Sequence, residues 1–274
     1  MKISILIPTY NRLNALTATL TALLSQTCKD FELIISDQSD LAVAEDGTIQ
    51  TIKRVFELHK NPVRILQNLP SRGIAHQRQF LLEQATGEYS LFLDDDIILE
   101  ADVLERMLTA LEDENAGFVG MPLIGLSYLN DYRPHQQYIN FWENKVEPEI
   151  VRPGTEEWNR YPLHNAANIL HVAEKLAIYP ANQKKYKVSW VGGCVLFNTA
   201  KLKETGGFDF WEELPENHCG EDVLAQLRLM ERYGGFGLIP SGAYHLELPT
   251  TIVHREVNAP EYFYKTNSSE SFAQ

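Results

Sequence analysis

Tyr89-Ser90-Leu91-Phe92-Leu93-Asp94-Asp95-Asp96-Ile97-Ile98-Leu99 runs an apolar stretch straight into three consecutive carboxylates, after which apolar residues resume at once. A short apolar run of this length is the pattern of a buried strand, and its end would deliver charge to a cleft. Three adjacent acids repel one another, and water, a cation or hydrogen-bond donors must compensate them. A divalent metal carrying a phosphate is one such compensator, because hard cations prefer oxygen ligands. A polar loop with three solvated acids is the other reading, and the motif taken alone leaves both open.

The residues upstream decide between them. Ile3 to Ile7 is a nearly continuous apolar run ending in Pro8-Thr9-Tyr10-Asn11-Arg12. Leu13, Leu16, Leu20, Leu23 and Leu24 then recur at helical spacing, with Asn11 or Asn14 available as a cap. Phe31 to Ile35 is a second strand ending in Ser36-Asp37-Gln38-Ser39-Asp40, and a helix is expected from Gly47 to Lys60. Val63 to Leu66 is a third strand, followed by Ser71-Arg72-Gly73 and a helix carrying Ile74, Arg78, Leu81, Leu82 and Ala85, which Gly87 would end. The acidic strand comes next. The order β-α-β-α-β-α-β predicts an α/β, doubly wound, mainly parallel sheet with right-handed crossovers. Ligands of such sheets bind at the carboxyl ends of the strands. The four strand ends place Thr9, Tyr10, Asp37, Gln38, Ser71, Arg72 and Asp94 to Asp96 on one rim, which favours the metal reading of the acids.

Composition sets outer limits. The chain has 274 residues, long enough for one large α/β domain. Its formal net charge of −13 argues against non-specific nucleic-acid binding and against a polybasic membrane anchor. An anionic ligand would need local arginines, a helix N-terminus or a metal to enter against that field. Cys28, Cys194 and Cys219 are odd in number and form no CxxC pair, so reduced thiols and a cytoplasmic setting are expected. The apolar start is too short for a signal peptide, and no window approaches a membrane span of about 20 apolar residues. No GxGxxG follows the first strand and no GxxxxGK[ST] occurs, so neither a dinucleotide fingerprint nor a P-loop is supported.

Past Asp102 to Glu112, an amphipathic helix, and Phe118 to Met121, a strand, the chain changes character. Residues 130–187 are rich in Tyr, Trp, His, Asn and Pro with weak periodicity. Aromatic faces and amides suit sugar or small-ligand recognition, and an ordinary packed loop region would look the same. Ser189 to Phe197 is strand-like and contains Gly192-Gly193. Gly220-Glu221-Asp222 opens a helix carrying Val223, Leu224, Leu227 and Met230 on one face, with Gly234 at its end. Acids in a first helical turn are favoured by the macrodipole alone. Phe236 to Pro240 is a last strand, with Tyr244-His245 just after it, and a polar, loosely packed tail is expected over 258–274.

Several ordered pieces of this chain resemble the family 2 glycosyltransferases of the GT-A fold. They are Ile5 to Arg12, Gln26 to Ile35, Gly73 to Arg78, Gly87-Glu88-Tyr89 with the acids after it, Gly206-Gly207-Phe208-Asp209 and Gly220-Glu221-Asp222. The resemblance spans roughly residues 3 to 246. It implies a nucleotide-diphospho-sugar transferase fold in which 1–120 form the nucleotide-sugar half and 121–257 a smaller acceptor-side, catalytic half. It implies inverting transfer of a sugar from a nucleotide-diphosphate donor, UDP-linked in the first instance, to a hydroxyl of a saccharide or lipid-linked acceptor. It also implies polysaccharide or glycan biosynthesis in the cytoplasm or at the inner face of a membrane.

The same resemblance assigns roles. Pro8, Thr9 and Tyr10 would line the base pocket with Arg12 beside them, and Asp37 or Gln38 would face the base or ribose. Gln38 stands where the family commonly has a second acid, which weakens the inference of uracil. Arg72 or Arg78 would approach the base or diphosphate. Asp94 and Asp95 would lie near ribose and metal, with Asp96 as the direct ligand of Mn²⁺ or Mg²⁺ and Asp94 and His245 as further ligands. The cation would stabilise the leaving diphosphate as a Lewis acid. Asp222, with Glu221 next, would be the general base for the acceptor hydroxyl. Trp190, Trp211, Glu213 and His218 are candidate acceptor-pocket residues.

Three rivals share some of these features. A haloacid-dehalogenase-type phosphatase would use Asp94 as nucleophile, but its motif belongs on the first strand, and Ile98 sits where Thr or Val is usual. A non-catalytic nucleotide-sugar-binding module would not need both Asp96 and the Glu221-Asp222 pair. A nucleotidyltransferase would need a Gly-rich, Lys-bearing first loop, and Pro8 to Arg12 contains no glycine.

Overall fold

The computed structural model describes residues 1–251 and 254–270. Its first half alternates β1 (Ile3–Thr9), α1 (Leu13–Leu23), β2 (Phe31–Asp37), α2 (Gly47–Leu58), β3 (Val63–Gln67), α3 (Ile74–Gln84) and β4 (Tyr89–Leu93). Strands 3-2-1-4 are hydrogen-bonded in that order, all parallel. Both faces of this block are covered, and its side chains divide with period two. Ile3, Ile5 and Ile7 face α1, α2 and α4 (Val103–Glu114) with Leu16, Leu20, Phe56 and Met107, while Leu6, Ile34 and Phe92 face the opposite core with Ala75, Leu81 and Leu224. That two-sided burial is why the strands read as unbroken apolar runs.

Beyond β4 the chain forms β5 (Ile97–Leu99), β6 (Phe118–Gly120) and β7 (Leu123–Ile124). An irregular stretch with 3₁₀ turns leads to α5 (Asn168–Lys175), β8 (Lys184–Tyr186), β9 (Cys194–Asn198) and α6 (Thr199–Glu204). Then come β10 (His218–Cys219), α7 (Glu221–Tyr233), β11 (Gly235–Ile239), β12 (Ala243–His245), β13 (Val257–Asn258) and α8 (Ala259–Glu270). The main sheet has eight strands, ordered 3-2-1-4-9-6-11-8. Its second half is mixed, because β9 runs antiparallel to both β4 and β6. A small sheet, β5-β12-β7, sits beside it and pairs His245 with Ile97, next to Asp96.

Four local expectations are corrected. Helix α1 has no side-chain cap; Asn11, at φ +54°, instead exchanges side-chain hydrogen bonds with Asp40. Helix α3 stops at Gln84, and Gly87 serves close packing, since a Cβ there would lie 2.6 Å from the Ser4 amide nitrogen. Strand β9 begins only at Cys194, because Gly193 at φ +73° breaks the extended backbone and a Cβ there would press on Leu123, Ile97 and Asp94. The start of the polar tail is not loose: α8 packs on α7, with Ala259 fully buried and Phe263 against Phe210. Residues 271–274 lie outside the described residues. All three cysteines are unpaired.

Candidate active site

One cleft of about 840 Å³ lies at the carboxyl ends of β1, β2 and β4 and is closed on its far side by the start of α7. Pro8, Thr9, Tyr10, Arg12, Gln38, Arg78, all three aspartates, Trp190, His218, Glu221, Asp222 and His245 line it. Of the residues expected there, Asp37, Arg72, Trp211 and Glu213 do not.

Each of the three aspartates has a different partner. Asp94 turns to Arg78 (Nη2 to Oδ1, 2.9 Å). Asp95 accepts from the Thr9 hydroxyl at 2.7 Å, and its backbone carbonyl accepts from Thr19 at 2.8 Å. Thr19 also accepts from the Ile97 amide at 3.1 Å, so one hydroxyl on α1 fixes the acidic turn. Burial raises the Asp95 pKa to about 6, with Thr9 and Arg12 pulling against it. Asp96 receives Arg12 Nη1 at 2.7 Å and His245 Nε2 at 3.4 Å. Burial would raise its pKa, but His245 and Arg12 outweigh it and hold the carboxylate below its usual range. Arg12 also donates to the Pro249 carbonyl, tying the segment after β12 to the acids.

These contacts test which residues could hold a divalent cation. His245 Nδ1 accepts the Glu247 amide at 3.0 Å, which assigns the ring proton to Nε2. The hydrogen bond that Nε2 donates to Asp96 raises the His245 pKa. Nε2 thus lies 3.4 Å from Asp96, close enough for the two side chains to share a cation once that proton is released. Asp94 gives one oxygen, Oδ1, to Arg78. Among the described residues no three His, Cys, Asp or Glu side chains form a cage. Asp96, with His245 beside it and Asp94 on the same rim, fits a cation that keeps several waters and takes its other oxygens from a bound diphosphate.

The rim at the end of β2 is built from amides. Gln38 Nε2 donates to the Asn68 carbonyl at 3.0 Å, which turns Oε1 outward, where Ser71 approaches at 3.3 Å. Asp37 accepts the Ser39 and Val43 amides at 2.9 and 2.8 Å, one on each oxygen. It anchors the loop after β2 and does not face the cleft. Gln77, which the sequence reading missed, bridges the ends of β1 and β2 through the Thr9 and Ser36 carbonyls.

Across the cleft, Arg78 is the central cation. Its Nε donates to Glu221 at 2.9 Å while Nη2 holds Asp94, and the side chains of Arg78 and Glu221 are each only 6% exposed. Burial opposes its charge, and Asp94, Glu221 and Asp222 more than restore it. Glu221 is thereby spent on an ion pair. Asp222, half-buried, keeps its carboxylate toward the cleft, and burial followed by repulsion from Glu221 raises its pKa to about 7.

The remaining candidates have structural partners. His218 donates Nδ1–H to the Pro215 carbonyl at 2.7 Å and accepts the Ala75 amide on Nε2 at 3.1 Å. It caps α3 and has no ring nitrogen left for a ligand. Trp211 packs on His76 with Arg72 over its ring, and Glu213 is exposed outside the cleft. Trp190 does line the cleft, stacked on Tyr161 at 5.4 Å and 14°.

The sequence model of the family described as "Glycosyl transferase family 2" matches residues 4–176, more than half of the chain. The chain belongs to that family, and its mixed α/β architecture is the GT-A fold. It is 29% identical over 117 residues to the Escherichia coli UDP-Glc:alpha-D-GlcNAc-diphosphoundecaprenol beta-1,3-glucosyltransferase WfgD, covering 43% of this chain and 44% of that protein. The chain thus spans less than half the length of this relative. Among solved structures it superposes on S. aureus TarS 1-349 in complex with UDP-GlcNAc with a TM-score of 0.54, 20% identity, and coverage of 92% of this chain and 60% of that one. On the mannosyltransferase PcManGT of Pyrobaculum calidifontis in complex with GDP-Man and Mn²⁺ the score is 0.56, with 17% identity and coverage of 92% and 58%.

Proposed function

We propose that this family 2 member is an inverting glycosyltransferase that moves a sugar from a nucleotide-diphosphate donor to an acceptor hydroxyl, in glycan or polysaccharide synthesis. The observation that carries this reading is the Arg78 bridge. One guanidinium holds Asp94 of the acidic turn and Glu221, the neighbour of Asp222, so a donor pole and a base pole share one cleft. On this reading residues 1–120 hold the donor and 121–257 the acceptor.

Each pole has its task. Gln38 Oε1 faces outward as an acceptor, which suits an N–H edge such as N3–H of uracil. Asp96 would hold a Mn²⁺ or Mg²⁺ ion that neutralises the diphosphate when bound. Arg12, already against Asp95 and Asp96, places a second positive charge beside the departing diphosphate. Asp222 takes the proton of the acceptor hydroxyl on the opposite side of the sugar, and Glu221 with Arg78 holds it there. Trp190, packed against Tyr161 and Trp158, gives a saccharide acceptor an aromatic wall in the cleft. The relative that acts on a diphosphoundecaprenol-linked sugar makes a lipid-linked acceptor at a membrane surface the first choice to test. Among the described residues no helix is long and apolar enough to cross a membrane.

Turnover of UDP-glucose, UDP-GlcNAc and GDP-mannose, read as nucleotide release with Mn²⁺ or with chelator, tests the reading. Release from at least one donor is expected, and silence with all three would sink it. Asp96→Asn is expected to weaken Mn²⁺-dependent UDP binding by at least about 10-fold in titration calorimetry, equivalent to about 1.4 kcal/mol. Unchanged Mn²⁺ dependence in that variant would remove Asp96 from the metal site.

A further inference from the structure

Trp190 is carried by a loop, residues 189–193, that is pinned at three places. The Ser189 hydroxyl reaches the Glu157 and Trp158 carbonyls at 3.0 and 2.9 Å. The Gly193 carbonyl accepts the Asp94 amide at 2.9 Å. Between these pins, Gln226 of α7 pairs with Val191 as a neighbouring strand would. The Val191 amide donates to Oε1 at 2.8 Å, and Nε2 donates to the Val191 carbonyl at 2.8 Å. The same Nε2 donates to the backbone carbonyl of Asp222 at 3.1 Å.

Gln226 is an unexpected residue for its place. It is fully buried on a helix face shared with Val223, Leu227 and Met230, where the apolar pattern would put a hydrophobe. A buried amide is costly unless its hydrogen bonds are made, and here both polar atoms are committed. The oxygen is spent on the loop, and the nitrogen is divided between the loop and the residue that carries the base. An apolar side chain would fill the space equally well but would leave the loop free to slide along α7.

We propose that Gln226 is a positioning residue for the acceptor: it fixes the Trp190 loop against the backbone of Asp222, so that a saccharide held against Trp190 presents its hydroxyl to the base. This rests on the transferase reading above. Gln226 lies outside the cleft lining, and without it the loop keeps its Gly193 bond to Asp94 and its Ser189 bonds, so its loss should leave the donor pole in place. Misplacement by about 1 Å can cost on the order of 100-fold in rate.

The test uses the full chain with Gln226→Met, which keeps the volume and loses the pairing, and Gln226→Glu, which keeps the acceptor toward Val191. Ser189→Ala loosens the same loop from its other end should the buried variants fail to fold. UDP and GDP binding is read by calorimetry. Nucleotide release from the three sugar nucleotides is measured alone and with p-nitrophenyl glucoside or p-nitrophenyl N-acetylglucosaminide, whose affinity is read by tryptophan quenching. Nucleotide affinity and glycoside-independent release should stay within about 2-fold of the parent. The KM for the glycoside should rise by about 10-fold or more in Gln226→Met and in Gln226→Glu, whose carboxylate cannot donate to the Val191 and Asp222 carbonyls, with a smaller rise in Ser189→Ala, the signature of lost positioning rather than of lost enzyme.

An equal fall in both release rates at unchanged KM would mean a purely structural residue and overturn the proposal. A parent whose nucleotide release no glycoside raises would also overturn it. A parent that releases nucleotide from none of the three donors would overturn the transferase reading instead.

Discussion

Replacing Asp222 by Asn is expected to lower sugar transfer by about 1,000-fold while leaving nucleotide-diphosphate binding unchanged, since positioned general bases contribute roughly 10²- to 10⁴-fold. The amide keeps the shape of the carboxylate and its place at the start of α7, and it cannot take the acceptor's proton. The pH profile gives a second signature. Burial first, and then the nearby Glu221, raise the Asp222 pKa to about 7, with Arg78 pulling the other way. A base works only when ionised, so a raised pKa moves the acid limb upward: activity should climb through about pH 7 in the parent and lose that limb in the variant. Transfer and binding measured side by side across pH check both statements. Normal turnover with impaired donor affinity would place Asp222 on the donor and not on the acceptor.

Arg78→Met is expected to damage stability and catalysis together. The variant leaves Glu221 buried without its counter-ion, and removing one member of a buried ion pair typically costs about 3–5 kcal/mol. Asp94, with 37% of its side chain exposed, adds little because water can replace the guanidinium there. Against a total stability of about 5–15 kcal/mol, such a loss is large. It should appear as a marked shift of the denaturant midpoint with an unchanged slope. Transfer should fall by about 100-fold or more even at temperatures where the variant is folded, because Glu221 no longer anchors the first turn of α7. Arg78→Lys keeps the charge but offers one ammonium where a planar fork spans two carboxylates, so stability should recover more than activity does. A midpoint within error of the parent for Arg78→Met would show that the bridge carries no energetic weight.

The comparison of these two positions shows what a sequence reveals. Asp222 was legible because its signal is local: two acids opening an amphipathic helix after a glycine. The parallel block β3-β2-β1-β4 was legible for the same reason, since burial on both faces writes itself as continuous apolar runs. Arg78 was visible as a residue of interest, but its expected partner was the donor and its actual partner Glu221 is 143 residues away. His245 lies where the sequence puts it, beside Asp96, but the Glu247 amide that its Nδ1 accepts could not be read from residue types. His218 and Asp37 have the residue types of a site and are consumed by backbone groups. Gln226 sent no signal, because a single amide in an apolar helix face reads as noise until the loop it pairs with is seen. Side-chain types and periodicity were enough for the elements and the rim. The division of labour among the polar groups depended on contacts between distant segments.

The reversed strand β9 has an evolutionary consequence. Because it runs against β4, its first residue, Cys194, lies beside Leu93 at the very edge where the acids emerge, while β7 ends at Ile124 near the same edge. The seventy or so residues between them leave that edge and return to it, and they add only one strand to the main sheet, β8, at its border beside β11. Such an excursion can be lengthened, shortened or exchanged on either side of β8 without altering the ladders of the other seven strands. The architecture separates the parallel block β3-β2-β1-β4 from a stretch that can drift, and on the proposed reading a change of acceptor would begin there.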